Sequence, residues 1–351
     1  MDLIDINDYI GGTRSGVLID VRSPSEFTRG NIPGSINIPL LSDEERKEIG
    51  TIYKRESKRK AIRRGLDFFG PKMRDIVSNL DSVTGASDEA PNNEFNVTCY
   101  CWRGGMRSNI VAWLLETYGY KVRLIKGGYK SYRHWCLEQF ERSLNIILLG
   151  GHTGTGKTIV LKKLRDRKLP VIDLEGIANH KGSAFGGIGL GIQPSQETFE
   201  NQLALTLFIQ LNLYGYVILE DESQRIGTVS IPQPVWEQMK KSSLLFLNRE
   251  FHKRLKNIID EYGNLDRSLL CAAVIRLQKR LGGLETKKCL EFLVNKDLRS
   301  SFSLLLVYYD KLYQKALEQK QAILKTYVSV DIDDLGKKDL QSIEQSIKGL
   351  V

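Results

Sequence analysis

Residues 145–164 read NIILLGGHTGTGKTIVLKKL: an apolar run, a loop with glycines at 151, 154 and 156, and a stretch with helical periodicity. An apolar run that feeds straight into a glycine loop and then a helix is the opening of a strand–helix–strand crossover, which requires a parallel sheet with helices on its faces. The same grammar occurs earlier. VTCYC (97–101) is an apolar strand candidate, WRGG a glycine-bearing turn, and MRSNIVAWLLETYGY a segment with apolar residues at helical spacing. Two such units predict an α/β protein with two parallel sheets.

The 351 residues are about twice the length of an ordinary domain. The boundaries expected are a first α/β domain over 1–138, a phosphate-loop α/β domain over 144–235, and a mainly helical region over 236–351 that completes the second half. In the first domain, GVLIDVRSPSEFTRGNIPGSINIPL (16–40) reads as strand, short helix, turn, strand; a basic, helix-compatible stretch follows to residue 75; and SNLDSVTGASDEAPNNEFN (78–96) is polar enough for a surface loop. KVRLIKGG and SYRHWCLEQFERS add a strand and a helix. In the second, YVILEDES (216–223) is a further apolar strand. Charged residues spaced among leucines predict helices from Trp236 to Lys325, before a last strand at YVSVDIDD.

The five cysteines, at 99, 101, 136, 271 and 289, form an odd, unpatterned set, which argues against a disulfide framework and for a reducing compartment. With four scattered histidines (134, 152, 180, 252), no zinc-site spacing is present. The opening MDLIDINDYIGG has no basic stretch followed by an apolar core, and no segment approaches the roughly 18 apolar residues of a membrane-spanning helix. The expectation is a cytoplasmic protein without a membrane partner; its oligomeric state is left open.

Two stretches carry chemistry. In CYCWRGGMRS (99–108), a loop between strand end and helix start aims backbone N–H groups at one point, where the helix dipole adds positive charge. Cys101 is the expected nucleophile, since such surroundings lower a thiol pKa from about 8.5 to roughly 3.5–7.5. Trp102, Arg103, Gly104, Gly105, Met106 and Arg107 form the expected anion-binding loop, in which the glycines permit the curl and Arg103 and Arg107 meet an incoming anion. Cys99 is read as a buried strand residue.

GHTGTGKT (151–158) fits G-x-x-x-x-G-K-[ST]. Gly151, Thr153, Gly154, Thr155, Gly156, Lys157 and Thr158 are the expected phosphate-binding residues: backbone N–H groups face a diphosphate, Lys157 adds a point charge, and the Thr158 hydroxyl can ligate Mg²⁺. Glu220, Asp221 and Glu222 close the neighbouring strand candidate, where a carboxylate for a metal or water is expected. Alternation sets Glu220 and Glu222 on one face and Asp221 on the other, leaving open which faces the phosphate.

LIDVRSPSEF, GNIPGSINIP and CWRGGMRS resemble the rhodanese domain, a sulfur-transfer fold whose loop cysteine carries a persulfide, over about the first 135 residues. The departure is Cys101 to Arg107, C-x5-R, one residue longer than ordinary rhodanese loops and similar to the cysteine phosphatases. With the phosphate loop, DLEGIANHKGSAFGGIG (173–189), EDESQRIG (220–227) and FGGIGLGIQPSQETFEN (185–201), the chain resembles the bacterial tRNA 2-selenouridine synthase family. That resemblance implies a rhodanese-like domain followed by a P-loop NTPase-like domain with a helical C-terminal region. It also implies a selenotransferase with tRNA geranyltransferase activity: sulfur of the wobble 2-thiouridine is alkylated by geranyl diphosphate, and the S-geranyl group is then displaced by selenium from selenophosphate. No tightly bound cofactor is expected; geranyl diphosphate and selenophosphate are substrates, and Thr158 offers a place for Mg²⁺. The DLEGIANHKGS segment adds Asp173, Glu175 and His180, and EDESQRIG adds Arg225, as polar or metal-site candidates.

The formal charge of +9 suggests a polyanionic partner. KRESKRKAIRR (54–64) holds seven basic residues against one acidic, so Lys54, Arg55, Lys58, Arg59, Lys60, Arg63 and Arg64 are the expected tRNA backbone contacts. The alternative is a cysteine-dependent phosphatase fused to a P-loop kinase acting on a small phosphorylated metabolite. It is disfavoured because the position before Cys101 is Tyr100, where the phosphatases carry histidine.

Overall fold

Strands buried on both faces need continuous apolar runs, and the chain supplies them twice. In the computed structural model, which describes residues 2–12, 16–86 and 95–351, the chain divides into two units, Met1–Gln139 and Phe140–Val351. Each is built on a five-stranded, wholly parallel sheet.

The first unit runs β1 (Asp2–Ile4), α1 (Ile6–Gly11), β2 (Val17–Asp20), α2 (Pro24–Arg29), β3 (Ile36–Asn37), α3 (Asp43–Arg55), α4 (Lys58–Thr84), β4 (Asn96–Tyr100), α5 (Met106–Tyr118), β5 (Lys121–Ile125) and α6 (Gly128–Glu141). The strand order is β1-β5-β4-β2-β3, so the strand that ends at the Cys101 loop is central. Its Val97, Cys99 and Tyr100 are fully buried, and Ile19, Leu80, Val111 and Leu115 pack in the same unit. The loop expected over 78–96 is corrected at its start: α4 continues through Thr84, because Leu80 is needed in the core, and ends at Gly85 in the left-handed conformation. Residues 87–94 lie outside the described residues. Neither β1 nor α1 was signalled, since three residues at a sheet edge carry no legible periodicity.

At the end of β2 a complete ion pair is buried. Arg22 donates through Nε and Nη2 to Asp20 at 2.6–3.0 Å and through Nη2 to the Gly30 carbonyl at 2.6 Å. Its guanidinium lies 3.8 Å from the Tyr129 ring centroid, and both charged residues are fully excluded from solvent. The arrangement fastens the β2 end and α2 to α6.

The second unit runs β6 (Ile146–Gly151), α7 (Lys157–Asp166), β7 (Val171–Ile172), α8 (Leu174–Ala178), α9 (Gln196–Tyr214), β8 (Val217–Glu220), β9 (Arg225–Ile226), β10 (Val229–Ser230), α10 (Gln233–Lys240), β11 (Ser243–Asn248), α11 (Phe251–Tyr262), α12 (Arg267–Leu281), α13 (Gly283–Val294), α14 (Leu298–Gln321), β12 (Tyr327–Asp331) and α15 (Lys337–Lys348). The sheet order is β12-β11-β6-β8-β7, with the phosphate-loop strand in the middle. This corrects the expectation of uninterrupted helices from Trp236 to Lys325: SLLFLN (243–248) is the strand β11, paired with both β6 and β12. A four-residue apolar run (244–247) among leucine-rich helices cannot be told from a buried helix turn by periodicity. Helices α11 to α14 bury their own core around Leu270, Val274, Leu293, Phe302 and Leu306.

Removing one member of a buried pair leaves an uncompensated charge, at a cost of about 3–5 kcal/mol. Arg22→Met is therefore expected to destabilise the first unit by that amount in denaturant titration followed by circular dichroism. Lys60→Ala, which breaks only the exposed pair with Glu56, is expected to shift stability by less than about 0.5 kcal/mol.

Candidate functional site

The Cys101 loop is a turn between β4 and the first residues of α5, whose N-cap is Gly105, without a side-chain cap. The Gly105 N–H donates to the Cys101 sulfur at 3.3 Å, and the Ser108 hydroxyl donates to it at 3.2 Å. The residue is 3% exposed, so the sulfur is buried among hydrogen-bond donors as well as apolar neighbours. The turn is closed from below by Gly128 (φ +60°), where a Cβ would stand 2.2 Å from the Cys101 carbonyl oxygen. Trp102 is partly exposed and tilts on Tyr129; Arg103 is exposed, and Gly104 takes a positive φ. Cys99 is fully buried, and burial foremost raises its thiol well above the ordinary range, as a structural residue requires.

Arg107 departs from the role expected of it. Its Nη1 donates to Glu26 at 2.6 Å and its Nη2 at 3.3 Å, and Arg46 reaches the same carboxylate. Burial would raise the Glu26 pKa, but the Arg107 hydrogen bond and charge, with Arg46, overcome it and pull the value down to about 2. Arg107 and Arg46 thus share one carboxylate, so the trio keeps a net positive charge, and Arg103 is exposed. Sequence reasoning missed Ser108 and Glu26: one lies just past the glycines, the other 81 residues away in α2.

In the second unit the phosphate loop joins β6 to α7, whose N-cap is Gly156, again without a side-chain cap. Side chains outside the loop take its carbonyls: Arg254 donates to Thr153 O at 3.1 Å, Asn257 to Gly154 O at 3.1 Å and Arg249 to Thr155 O at 3.4 Å. Arg254 is itself held by two bonds of 2.7–2.8 Å to Asp310. Two of the loop N–H groups are also taken, that of Gly151 by the Tyr313 hydroxyl at 3.3 Å and that of Thr155 by the His152 carbonyl at 3.1 Å. Lys157 rests on the Gly151 carbonyl at 2.9 Å. At Gly154 (φ +79°) a Cβ would stand 2.7 Å from the Arg254 carbonyl oxygen, so only glycine allows this close support. His152, inside the motif, packs against the Phe246 and Tyr313 rings and lies 3.5 Å from Asp310; burial foremost lowers its pKa. His152, Arg249, Arg254, Asn257 and Asp310 escape sequence reasoning because the last four lie in the C-terminal region, without motif spacing.

The acidic residues separate into two sets. Glu220 and Glu222 meet Glu175 of α8, with carboxylate oxygens within 4.8 Å of one another, and the Thr158 hydroxyl lies 3.5 Å from Glu175. Asp221 points the other way, accepting from the Tyr313 hydroxyl at 2.8 Å and pairing with Lys320. Three further candidates make local hydrogen bonds, and the charge of Asp173 also reaches Glu175 and Glu220. Asp173 caps α8 by accepting the Gly176 N–H at 2.7 Å, His180 accepts the Gly182 N–H at 3.1 Å, and the exposed Arg225 donates to the Gly227 carbonyl at 3.0 Å. Among the described residues, the buried Glu220 Oε2 has no hydrogen-bond partner. An orphaned carboxylate oxygen in an all-oxygen cluster beside the Thr158 hydroxyl is a donor set that fits Mg²⁺.

In the basic segment Lys54, Arg55, Lys58, Arg59 and Arg63 are exposed. Lys60 is paired with Glu56, and Arg64 with Glu48 and Asp67, so two of the seven cations are partly neutralised.

Burial, then the charges of Glu220 and Glu222, raise Glu175 from 4.5 to about 9, and burial with Glu222 raises Glu220 to about 8. These groups hold protons in the folded state that the unfolded chain has released, so without a cation stability falls as pH rises from about 4.5 towards 9. Glu175→Gln is expected to flatten that slope and to be the more stable protein by roughly 1–3 kcal/mol at pH 8 in urea unfolding with chelator present. Parallel pH profiles for the two proteins would show that the cluster titrates normally.

Comparison with known proteins covers both units. Residues 144–333 match the tRNA 2-selenouridine synthase AAA domain, and residues 5–134 the rhodanese-like domain. A tRNA 2-selenouridine synthase of Sulfurovum sp. (strain NBC37-1) is 34% identical, over 86% of this chain and 89% of that one. Those of Shewanella frigidimarina and Nitrosomonas eutropha are 33% and 32% identical, each over 87% of this chain and 89% of theirs. Matches to both units in one order and at nearly full length decide against the phosphatase–kinase alternative: the chain belongs to the tRNA 2-selenouridine synthase family.

Proposed function

We propose that this chain, acting in the cytoplasm, replaces sulfur by selenium in the wobble 2-thiouridine of tRNA in two steps, one at each anion site. In the first, the thiouridine sulfur attacks C1 of geranyl diphosphate; an S–C bond forms, the C–O bond breaks, and diphosphate leaves with the electron pair. In the second, selenium from selenophosphate adds at C2 of the base, the C2–S bond breaks, geranylthiol leaves, and the phosphoryl group passes to water. The observation that carries this reading is the pairing, within a member of this family, of a donor-ringed cysteine with a phosphate loop whose outward carbonyls are braced.

The loop from Gly151 to Thr158 receives the diphosphate of the prenyl donor and not a nucleoside triphosphate. Its N–H groups other than those of Gly151 and Thr155, which the chain itself takes, stabilise charge that grows as the C–O bond breaks, which is where preorganised donors accelerate a reaction. Lys157 exchanges its contact with the Gly151 carbonyl for a diphosphate oxygen. Thr158, Glu175, Glu220 and Glu222 would hold Mg²⁺, which when bound supplies neutralising charge to the leaving group. At the other site, Cys101 assists the selenium step: Gly105 N–H and Ser108 Oγ–H hold its sulfur beside the reacting base, and Arg103 attracts the selenophosphate anion. The exposed cations of α3 and α4 hold the tRNA backbone.

Mass spectrometry of nucleosides from tRNA treated with geranyl diphosphate and selenophosphate separates the steps. Lys157→Ala is expected to slow S-geranyl formation by roughly 100-fold, while Cys101→Ser is expected to accumulate S-geranyl-2-thiouridine without selenouridine. Full-rate selenouridine formation by Cys101→Ser would remove that residue from the mechanism. Tight ATP binding with none for geranyl diphosphate, in titration calorimetry, would do the same for the assignment of the loop.

Reversal of Arg59 and Arg63 to glutamate is expected to weaken tRNA binding and to reduce the slope of log affinity against log salt by about 0.7–0.9 for each phosphate that is no longer neutralised. An unchanged salt series would place the tRNA elsewhere.

A further inference from the structure

Between α3, α4 and α5 of the first unit lies a groove of about 600 Å³, a size within the range of small-molecule sites, roughly 300–1,000 Å³. Its floor is hydrocarbon from the buried Leu40, Leu41, Ala61 and Phe69, and its walls include Ile49, Ile62 and Ile110. Its mouth keeps apolar side chains in water: Tyr53 is 59% exposed, Leu66 54% and Met106 46%. Clustered exposure of this kind marks a surface that something covers.

Two further features narrow the occupant. Lys47, Lys54 and Lys58 stand on the same lining, so the hydrocarbon that enters must be tethered to a polyanion. The far wall is made by Met106 and Arg107, the first turn of the helix whose Gly105 N–H and Ser108 hydroxyl hold the Cys101 sulfur. A ligand lodged in the groove is therefore tethered next to the reacting sulfur of this unit. A nucleotide alone would leave the apolar walls unfilled and bury its own polar edges without partners. A prenyl chain has no donors or acceptors to satisfy, and its tether, when the chain is carried by tRNA, is a nucleic acid backbone.

We infer that this groove holds the geranyl chain of the S-geranyl-2-thiouridine intermediate, presenting C2 of the modified base to the Cys101 loop for the selenium step. The inference rests on the two-step reading above and adds to it a binding site for the intermediate on the cysteine-bearing unit. The chain then acts as a handle: tRNA already geranylated is selected over tRNA bearing unmodified 2-thiouridine, which has nothing to put in the groove.

The test uses the full-length protein and an anticodon stem–loop RNA whose wobble 2-thiouridine is S-methylated or S-geranylated, with binding read by fluorescence anisotropy. The wild type is expected to prefer the S-geranyl RNA by about tenfold or more, equivalent to about 1.4 kcal/mol. Ile62→Trp, which fills the groove, and Leu66→Glu, which places a charge at its exposed mouth without disturbing the core, are each expected to reduce that preference to less than about threefold while S-methyl RNA binds as before. Wild-type preference retained in both variants, or no preference in the wild type, overturns the assignment. Conversion of the S-geranyl RNA to selenouridine by the wild type, measured in parallel, tells the two failures apart. Conversion with an undiminished preference in both variants removes only the groove, whereas absence of conversion removes the two-step reading and the groove with it.

Discussion

A parallel strand that turns directly into a helix leaves the helix's first N–H groups without carbonyl partners, and burial demands that something accept from them. Both units meet this demand at the end of a central strand. At α5 and α7 the N-cap is glycine, with no side chain to absorb the donors. In the first unit the acceptor is a sulfur of the chain itself. In the second the carbonyls of Thr153, Gly154 and Thr155 are taken by Arg254, Asn257 and Arg249, while the Gly151 N–H goes to the Tyr313 hydroxyl and the Thr155 N–H to the His152 carbonyl. The same turn from strand to helix thus meets a sulfur of the chain in one unit and oxygens of the chain in the other.

Charge is handled differently in the two places. Around Cys101, the arginine of the C-x5-R spacing is paired with Glu26, which it shares with Arg46 and which is held ionised well below the ordinary range, so part of the loop's charge is offset within the fold. Around the phosphate loop the imbalance runs the other way. Three carboxylates crowd together with one lysine near them, a situation that burial makes costly and that a shared proton or a divalent cation relieves. Asp221 avoids the crowd because strand alternation turns it to the opposite face, where Lys320 and Tyr313 engage it.

The sequence made legible what is local. The glycine loops, the flanking strands β4, β6 and β8, and the split between Glu220/Glu222 and Asp221 all follow from spacing within ten residues or so. It hid what is distant or short. The strand β11 was lost among leucines, β1 was too brief to show a period, and the loop braces Arg254 and Asn257 sit about a hundred residues from the carbonyls they hold. Two residues that the motif singles out, Asp173 and His180, also hold an N-cap and a turn, since polar side chains beside a helix end satisfy nearby backbone groups.

These distant contacts also give the helical C-terminal region a purpose beyond its own core. Arg254 is almost fully buried, and its guanidinium is planar and rigid, so the fork that grips Asp310 fixes where the remaining N–H points. A lysine would keep the charge but not the direction. On the other side Tyr313, from α14, accepts the Gly151 N–H while donating to Asp221, joining the start of the loop to the acidic strand end through one hydroxyl. The loop is thus positioned by α11 from its middle and by α14 from its beginning. A disturbance of the packing between these two helices, around Leu255, Leu305 and Leu306, would be transmitted to the amide directions without altering any residue of the motif itself.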